Sequence, residues 1–180
     1  MSKMKIFNLP LLGLNLIKAT PFMDERGRFA RLFCAKELQD AGIEMVIVQV
    51  NHSVTRKVGA IRGMHFQRPP HAEIKIVRCL RGKCFDVAVD LRPDSATYLK
   101  WHGEVLSGDD EKALRIPEGF AHGFQVLEEN TELLYFHSEY YAPRSEGGVR
   151  FDDPAIGINW PLPATDISAR DKSYPLILAD

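Results

Sequence analysis

The feature that most restricts what this chain can fold into is a series of short runs of alternating apolar and polar residues, each closed by a cluster of turn-forming residues. Lys83-Cys84-Phe85-Asp86-Val87-Ala88-Val89-Asp90-Leu91 alternates at several positions, as a strand with one buried face does. Residues 46–50, 74–80, 98–106 and 131–141 read as further strands, as do Ile61-Arg62-Gly63-Met64-His65-Phe66-Gln67 and the stretch after Ile116-Pro117-Glu118-Gly119. Arg81-Gly82, Arg92-Pro93-Asp94-Ser95, Ser107-Gly108-Asp109-Asp110 and Glu128-Glu129-Asn130 punctuate them. Only residues 35–41 read plainly as helix, with a weaker second helix at 168–172. Many short strands between polar turns must bury their apolar faces against a second sheet. The expectation is therefore an all-β fold, a jelly-roll β-barrel with short peripheral helices. No repeat or linker interrupts residues 1–180, so one domain is expected, opening on an N-terminal strand. The tail after Pro154, with Pro161, Pro163 and Pro175, should wrap the barrel in irregular structure.

With 180 residues, 45% of them hydrophobic, the chain can fill one core. A net charge of −1 argues against nucleic acid or a membrane surface as partner, so any anion must be met by a local cluster of Arg and Lys. Cys34, Cys79 and Cys84 are odd in number and lack metal-finger spacing, which fits reduced thiols in the cytoplasm. The first residues lack a secretory signal, and no run approaches the ~18 apolar residues that span a bilayer.

The candidate chemistry centres on Arg62, His65 and Lys75, expected close together along two neighbouring strands. An imidazole titrates near neutrality and can take a proton from carbon, although a strand histidine often only satisfies backbone. Alternation puts Arg62 and His65 on opposite faces unless a bulge intervenes, which Gly63 would permit. Lys75 admits two readings: a solvated ion pair with Glu73, or an ammonium inside the barrel mouth that steadies an oxyanion. His122 lies between Ala121 and Gly123, where the backbone can approach another group closely. In residues 133–141, Tyr135, His137, Glu139 and Tyr141 share a face and are expected to look into a cavity. Buried tyrosines usually only pack, but a phenol opposite a base can return a proton from the other side. Asp171 is either a loop carboxylate or the group that orients an imidazole.

Several further motifs accompany these: Asp24-Glu25-Arg26-Gly27-Arg28-Phe29, Gln49-Val50-Asn51-His52-Ser53, Pro117 to Phe124, Tyr135 to Pro143, Asp152-Asp153-Pro154 and Trp160-Pro161. In this order and spacing the chain resembles the dTDP-4-dehydrorhamnose 3,5-epimerase family of cupin-like jelly rolls, over nearly its whole length. The resemblance implies His65 as base, Asp171 as its partner, Lys75 at the enolate and Tyr135 as acid. It implies Gln49, Asn51, Arg62, His122, Tyr141, Glu146 and Arg170 as substrate-binding residues. Arg26 and Phe29 fall at positions that contact the nucleotide across a dimer interface. It further implies a homodimer needing no metal or organic cofactor, acting on a nucleoside-diphosphate 4-keto-6-deoxyhexose. The best match to that substrate is dTDP-4-dehydro-6-deoxy-D-glucose, converted to dTDP-4-dehydro-L-rhamnose. Arg31 stands where the family carries Glu, which leaves the nucleotide open and keeps a single-carbon epimerase of, for example, a CDP-linked sugar as an alternative.

Two other classes remain. A metal-dependent cupin wants an HxH pair, but Phe66-Gln67 follows His65, leaving Glu73 and His122 as the available further ligands. A non-catalytic sugar-nucleotide-binding jelly roll would not require His65, Lys75 and Tyr135 together.

Overall fold

The computed structural model describes residues 3–177. In chain order its elements are β1 (Lys3–Asn8), β2 (Asn15–Thr20), β3 (Phe22–Asp24), β4 (Gly27–Phe29), α1 (Ala35–Asp40), β5 (Gln49–Thr55), β6 (Ile61–Gln67), β7 (Lys75–Arg81), β8 (Lys83–Asp90), β9 (Trp101–Ser107), β10 (Lys112–Ile116), β11 (Phe120–Val126), β12 (Thr131–His137), β13 (Glu146–Gly148) and α2 (Ala169–Ser173). Two antiparallel sheets form a cupin-like jelly roll, ordered β1-β2-β10-β7-β12-β5 and β13-β6-β11-β8-β9, with β3-β4 as a separate hairpin.

Alternation builds the core between the sheets. Val77 and Cys79 of β7, Leu114 and Ile116 of β10 and Leu133 of β12 meet Cys84, Ala88, Leu106, Phe120, Phe124 and Val126 from the facing sheet. The outer face of the six-stranded sheet is not left to water. Ile17, Ile76 and Ala113 are covered by Leu38 of α1 and by Ile43 and Met45. The outer face of the five-stranded sheet, with Met64, Val87, Val89 and Ala121, is covered by Val149, Ile156 and Trp160 of the C-terminal segment. Pro154, Pro161, Pro163 and Pro175 fall in that segment. Among the described residues no helix is long and apolar enough to cross a membrane.

The structure corrects several boundaries. The strand expected at 46–50 starts only at Gln49, because the apolar residues before it cover the outside of the sheet instead of entering a ladder. The strand expected over 131–141 stops at His137, after which Ser138 turns away by exchanging hydrogen bonds with Ile74. The strand expected from residue 98 begins at Trp101, since Leu99 takes a turn conformation at φ 59°. The largest correction concerns Arg62, His65 and Lys75. Strands β6 and β7 are not neighbours but lie in opposite sheets, so these side chains meet across the barrel.

Candidate active site

The mouth of the barrel holds a cavity of about 330 Å³ whose wall includes Arg62, His65, Lys75, His122 and Tyr135. That is at the small end of the ~300–1,000 Å³ usual for small-molecule pockets. A bulge puts Arg62 and His65 on the same wall. Strand β11 pairs His122 with His65 but Phe124 with Arg62, so two steps on one strand oppose three on the other. The extra residue restores Arg62 to the inner face. Gly63 occupies the bulge at φ +133°, and a Cβ there would stand 2.5 Å from the Gly123 Cα. Glycine is therefore required on both counts.

His65 Nε2 lies 2.8 Å from Asp171 Oδ1, and the Asp171 side chain is 4% exposed. Strand β6 supplies the imidazole and α2 the carboxylate. Ser168 caps that short helix by accepting from the Asp171 amide at 3.0 Å, and Gly63 N–H donates to Asp171 Oδ2 at 3.4 Å. Burial pushes the Asp171 carboxyl up, but the His65 hydrogen bond and charge, with the Gly63 and Ser168 bonds, hold it below the usual value. An ionised Asp171 accepts Nε2–H, which leaves the lone pair of the neutral ring on Nδ1.

Across the cavity, Tyr135 of β12 is half-buried, with its hydroxyl 3.3 Å from Ser53 Oγ of β5. Burial pushes the phenol above its ordinary value, against the Ser53 bond, so it remains protonated and able to donate. His122 meets the edge of the Tyr135 ring with centroids 6.2 Å apart, and its Nε2 lies 2.9 Å from the buried Asp86 carboxylate. Lys75 does pair with Glu73, at 3.0 Å, but the pair is not a solvated one: it is buried in the cavity wall.

The outer rim carries Tyr141, whose hydroxyl donates to Glu146 at 2.9 Å, and Arg170, which pairs with Glu146 at 3.0 Å. Gln49 and Asn51 also line the cavity, and Gln49 accepts from the Tyr141 amide at 3.2 Å. Glu139 does not join them. The strand has ended, and its carboxylate accepts from the Tyr140 amide at 2.7 Å. Arg26 and Phe29 are also elsewhere, on the exposed β3-β4 hairpin, where Arg26 pairs with Asp24 and Phe29 is 71% exposed. That hairpin lines its own recess with Arg28 and Arg31, and Arg31 pairs with Glu37 of α1.

Sequence reasoning passed over Asp86 and Ser53. Asp86 is a carboxylate between Cys84 and Ala88 on the inward face of β8, a position that only a buried partner could satisfy. Ser53 continues the inward period of Gln49 and Asn51. Glu73 and His122, considered above as metal ligands, are committed to Lys75 with His137 and to Asp86 respectively. Among the described residues no three His, Cys, Asp or Glu side chains are grouped to hold a metal ion.

An imidazole–carboxylate pair, a half-buried phenol and an ammonium line one jelly-roll cavity, a set of groups able to take and return a proton. The family model for dTDP-4-dehydrorhamnose 3,5-epimerase matches residues 8–179. The dTDP-4-dehydrorhamnose 3,5-epimerase of Salmonella typhimurium is 43% identical over 164 residues, covering 90% of this chain and 89% of that protein. The crystal structure of the Bacillus anthracis dTDP-4-dehydrorhamnose 3,5-epimerase with TDP and PPi bound superposes with a TM-score of 0.94 at 36% identity, covering 97% of this chain and 100% of that one. The Legionella pneumophila dTDP-6-deoxy-D-glucose-3,5-epimerase in complex with dTDP-4-keto-L-rhamnose gives 0.92 at 38% identity, covering 97% and 93%. The chain belongs to the dTDP-4-dehydrorhamnose 3,5-epimerase family.

Proposed function

We propose that this chain epimerises a nucleoside-diphosphate 4-keto-6-deoxyhexose at C3 and C5, with dTDP-4-dehydro-6-deoxy-D-glucose as substrate and dTDP-4-dehydro-L-rhamnose as product. The observation that carries the reading is the placement of His65 with Asp171 on one wall and the protonated Tyr135 on the facing sheet, with Lys75 between them in sequence and in the same cavity. The 4-ketone acidifies the hydrogens on C3 and C5. His65 takes one of them, the Lys75 ammonium meets the charge that develops on O4, and Tyr135 delivers a proton to the opposite face of the same carbon. Delivery from the opposite face is what inverts the centre. Each acid or base step contributes about 10²–10⁴-fold, and a preorganised oxyanion contact is of similar size.

Arg62, Arg170, His122, Gln49 and Asn51 surround the sugar and its diphosphate, and Tyr141 with Glu146 lies toward the nucleotide at the rim. Arg26 and Phe29 serve the nucleotide of a second copy. Phe22, Met23 and Phe29 leave the hairpin 52%, 64% and 71% exposed, an apolar surface suited to cover in a homodimer. The chain works as one domain in the cytoplasm, without a metal or organic cofactor, and its partner is the sugar nucleotide rather than nucleic acid or a membrane.

Deuterium wash-in tests the reaction. In heavy water the protein should introduce deuterium at C3 and C5 of dTDP-4-dehydro-6-deoxy-D-glucose, and His65→Ala should abolish it. Exchange that persists in that variant removes His65 as the base. A preference for a CDP-, GDP- or UDP-linked substrate in the same assay would overturn the dTDP assignment.

A further inference from the structure

Glu73 and His137 take no part in the proton transfers above, yet their side chains are only 8% and 11% exposed in the wall of the same cavity. Glu73 Oε1 lies 3.0 Å from Lys75 Nζ, and Glu73 Oε2 lies 2.7 Å from His137 Nδ1. One carboxylate thus joins the amine to a second imidazole. His137 is the direct cross-strand partner of Lys75 between β12 and β7. Its Nε2 is 3.3 Å from Asn51 Nδ2, and its ring stacks on Tyr135 with centroids 6.0 Å apart and planes at 19°. The imidazole is therefore held by β5, by its own strand and by Glu73 together. Burial alone would push the Glu73 carboxyl up, but the His137 hydrogen bond and the Lys75 charge hold it below its ordinary value.

A lysine has a flexible four-carbon stem and donors that rotate freely, so burial does not by itself fix where its charge sits. We propose that Glu73 and His137 are positioning residues: Glu73 holds the Lys75 ammonium at one point of the cavity wall, and His137 fixes Glu73 by donating Nδ1–H to its second oxygen. The inference rests on the reading of Lys75 as the contact for the substrate's carbonyl oxygen. Its chemistry is differential. The charge on O4 is larger in the transition state than in the bound ketone, so a misplaced ammonium lowers kcat far more than it raises KM.

The test uses side chains that keep or lose one donor atom. Asparagine places its amide nitrogen where His137 has Nδ1, whereas leucine fills similar space with no donor. His137→Leu and Glu73→Gln should each lower kcat about 10–100-fold, the cost of displacing a reacting group by an ångström or less, with KM within about threefold. His137→Asn should recover most of kcat. Wild-type deuterium exchange is measured alongside. Exchange by the wild type with equal kcat in His137→Leu and His137→Asn overturns the inference alone, as does a loss confined to KM. No exchange by the wild type overturns the functional reading itself. Where His137→Leu lowers the melting temperature so far that it is unfolded in the assay, the near-isosteric Glu73→Gln carries the same comparison against Glu73→Asp. Equal activity of those two with the wild type again overturns the proposal.

Discussion

Replacing Asp171 by Asn changes one charge and almost no volume, so it isolates what the carboxylate does for His65. In the proposed reaction His65 becomes a cation beside Asp171 when it takes a proton from carbon, with the two groups in contact at 2.8 Å. Unit charges about 4 Å apart attract by about 4 kcal/mol at an effective dielectric of about 20. The His65 side chain is 26% exposed, so solvent weakens that interaction. About 3 kcal/mol is a fair working figure, and at 1.4 kcal/mol per decade it corresponds to about 10²-fold in rate. A second effect adds to it. The amide nitrogen of asparagine donates to Nε2, which moves the ring proton to Nδ1 and removes the lone pair there. The loss expected for Asp171→Asn is therefore about 10²–10³-fold in kcat, with little change in KM. It is read by proton NMR as the rate of deuterium incorporation at C3 and C5, with melting temperature as the check on folding. A folded variant within tenfold of the wild type would refute the pairing as the source of His65's basicity.

Tyr135→Phe should retain deuterium exchange at the abstracted position yet lose most of the inverted product, and full epimerisation by that variant rules out the phenol as acid. Gly63→Ala forces a Cβ to within 2.5 Å of the Gly123 Cα at a positive φ. It should cost about 2–4 kcal/mol, or roughly 5–15 °C in melting temperature, with loss of exchange; unchanged values would show that the bulge does not need glycine. The pH dependence of stability has a definite sign. Asp171 and Glu73 are both held below the ordinary carboxylate value, so their contribution is present above about pH 4 and lost as pH falls through the folded values. In urea unfolding the gap between wild type and Glu73→Gln should therefore be larger at pH 7 than at pH 3, and a constant gap would refute the linkage. Asp86→Ala leaves the His122 imidazole buried without its acceptor and should cost about 1–3 kcal/mol of stability in the same assay.

Most of the barrel was legible because period-2 alternation reports one buried face, and β8 with its turn at Gly82 is the clearest case. The same signal misled where a segment buries its apolar residues without joining a ladder. Met45 and Ile47 alternate like a strand, yet they pack across the outside of the six-stranded sheet. Strand β10 was passed over for the complementary reason, since it is five residues long and follows directly on an acidic turn. Local pattern gives the face a residue occupies on its own element, but not which element lies opposite. For this reason Lys75 could be placed beside His65 in sequence and still come from the other sheet.

The site depended on two things that no local pattern carries. One is the extra residue in β6, which reverses the inward and outward assignment between Arg62 and His65. Gly63 marked that reversal as permitted, but only the pairing with His122 and Phe124 shows that it occurs. The other is partnership over long sequence separations. Asp171 reaches His65 across 106 residues, and Asn51 reaches His137 across 86. The first follows from α2 of the C-terminal segment folding back on β6, the second from the antiparallel pairing of β5 with β12. A buried carboxylate in such a place must find a donor; β6 supplies His65 to Asp171, and β7 and β12 supply Lys75 and His137 to Glu73. The partners of Asp171 and Glu73 are therefore set by the topology, and exchanging either carboxylate for an apolar residue should release the side chains on its own wall, His65 in the one case and Lys75 with His137 in the other.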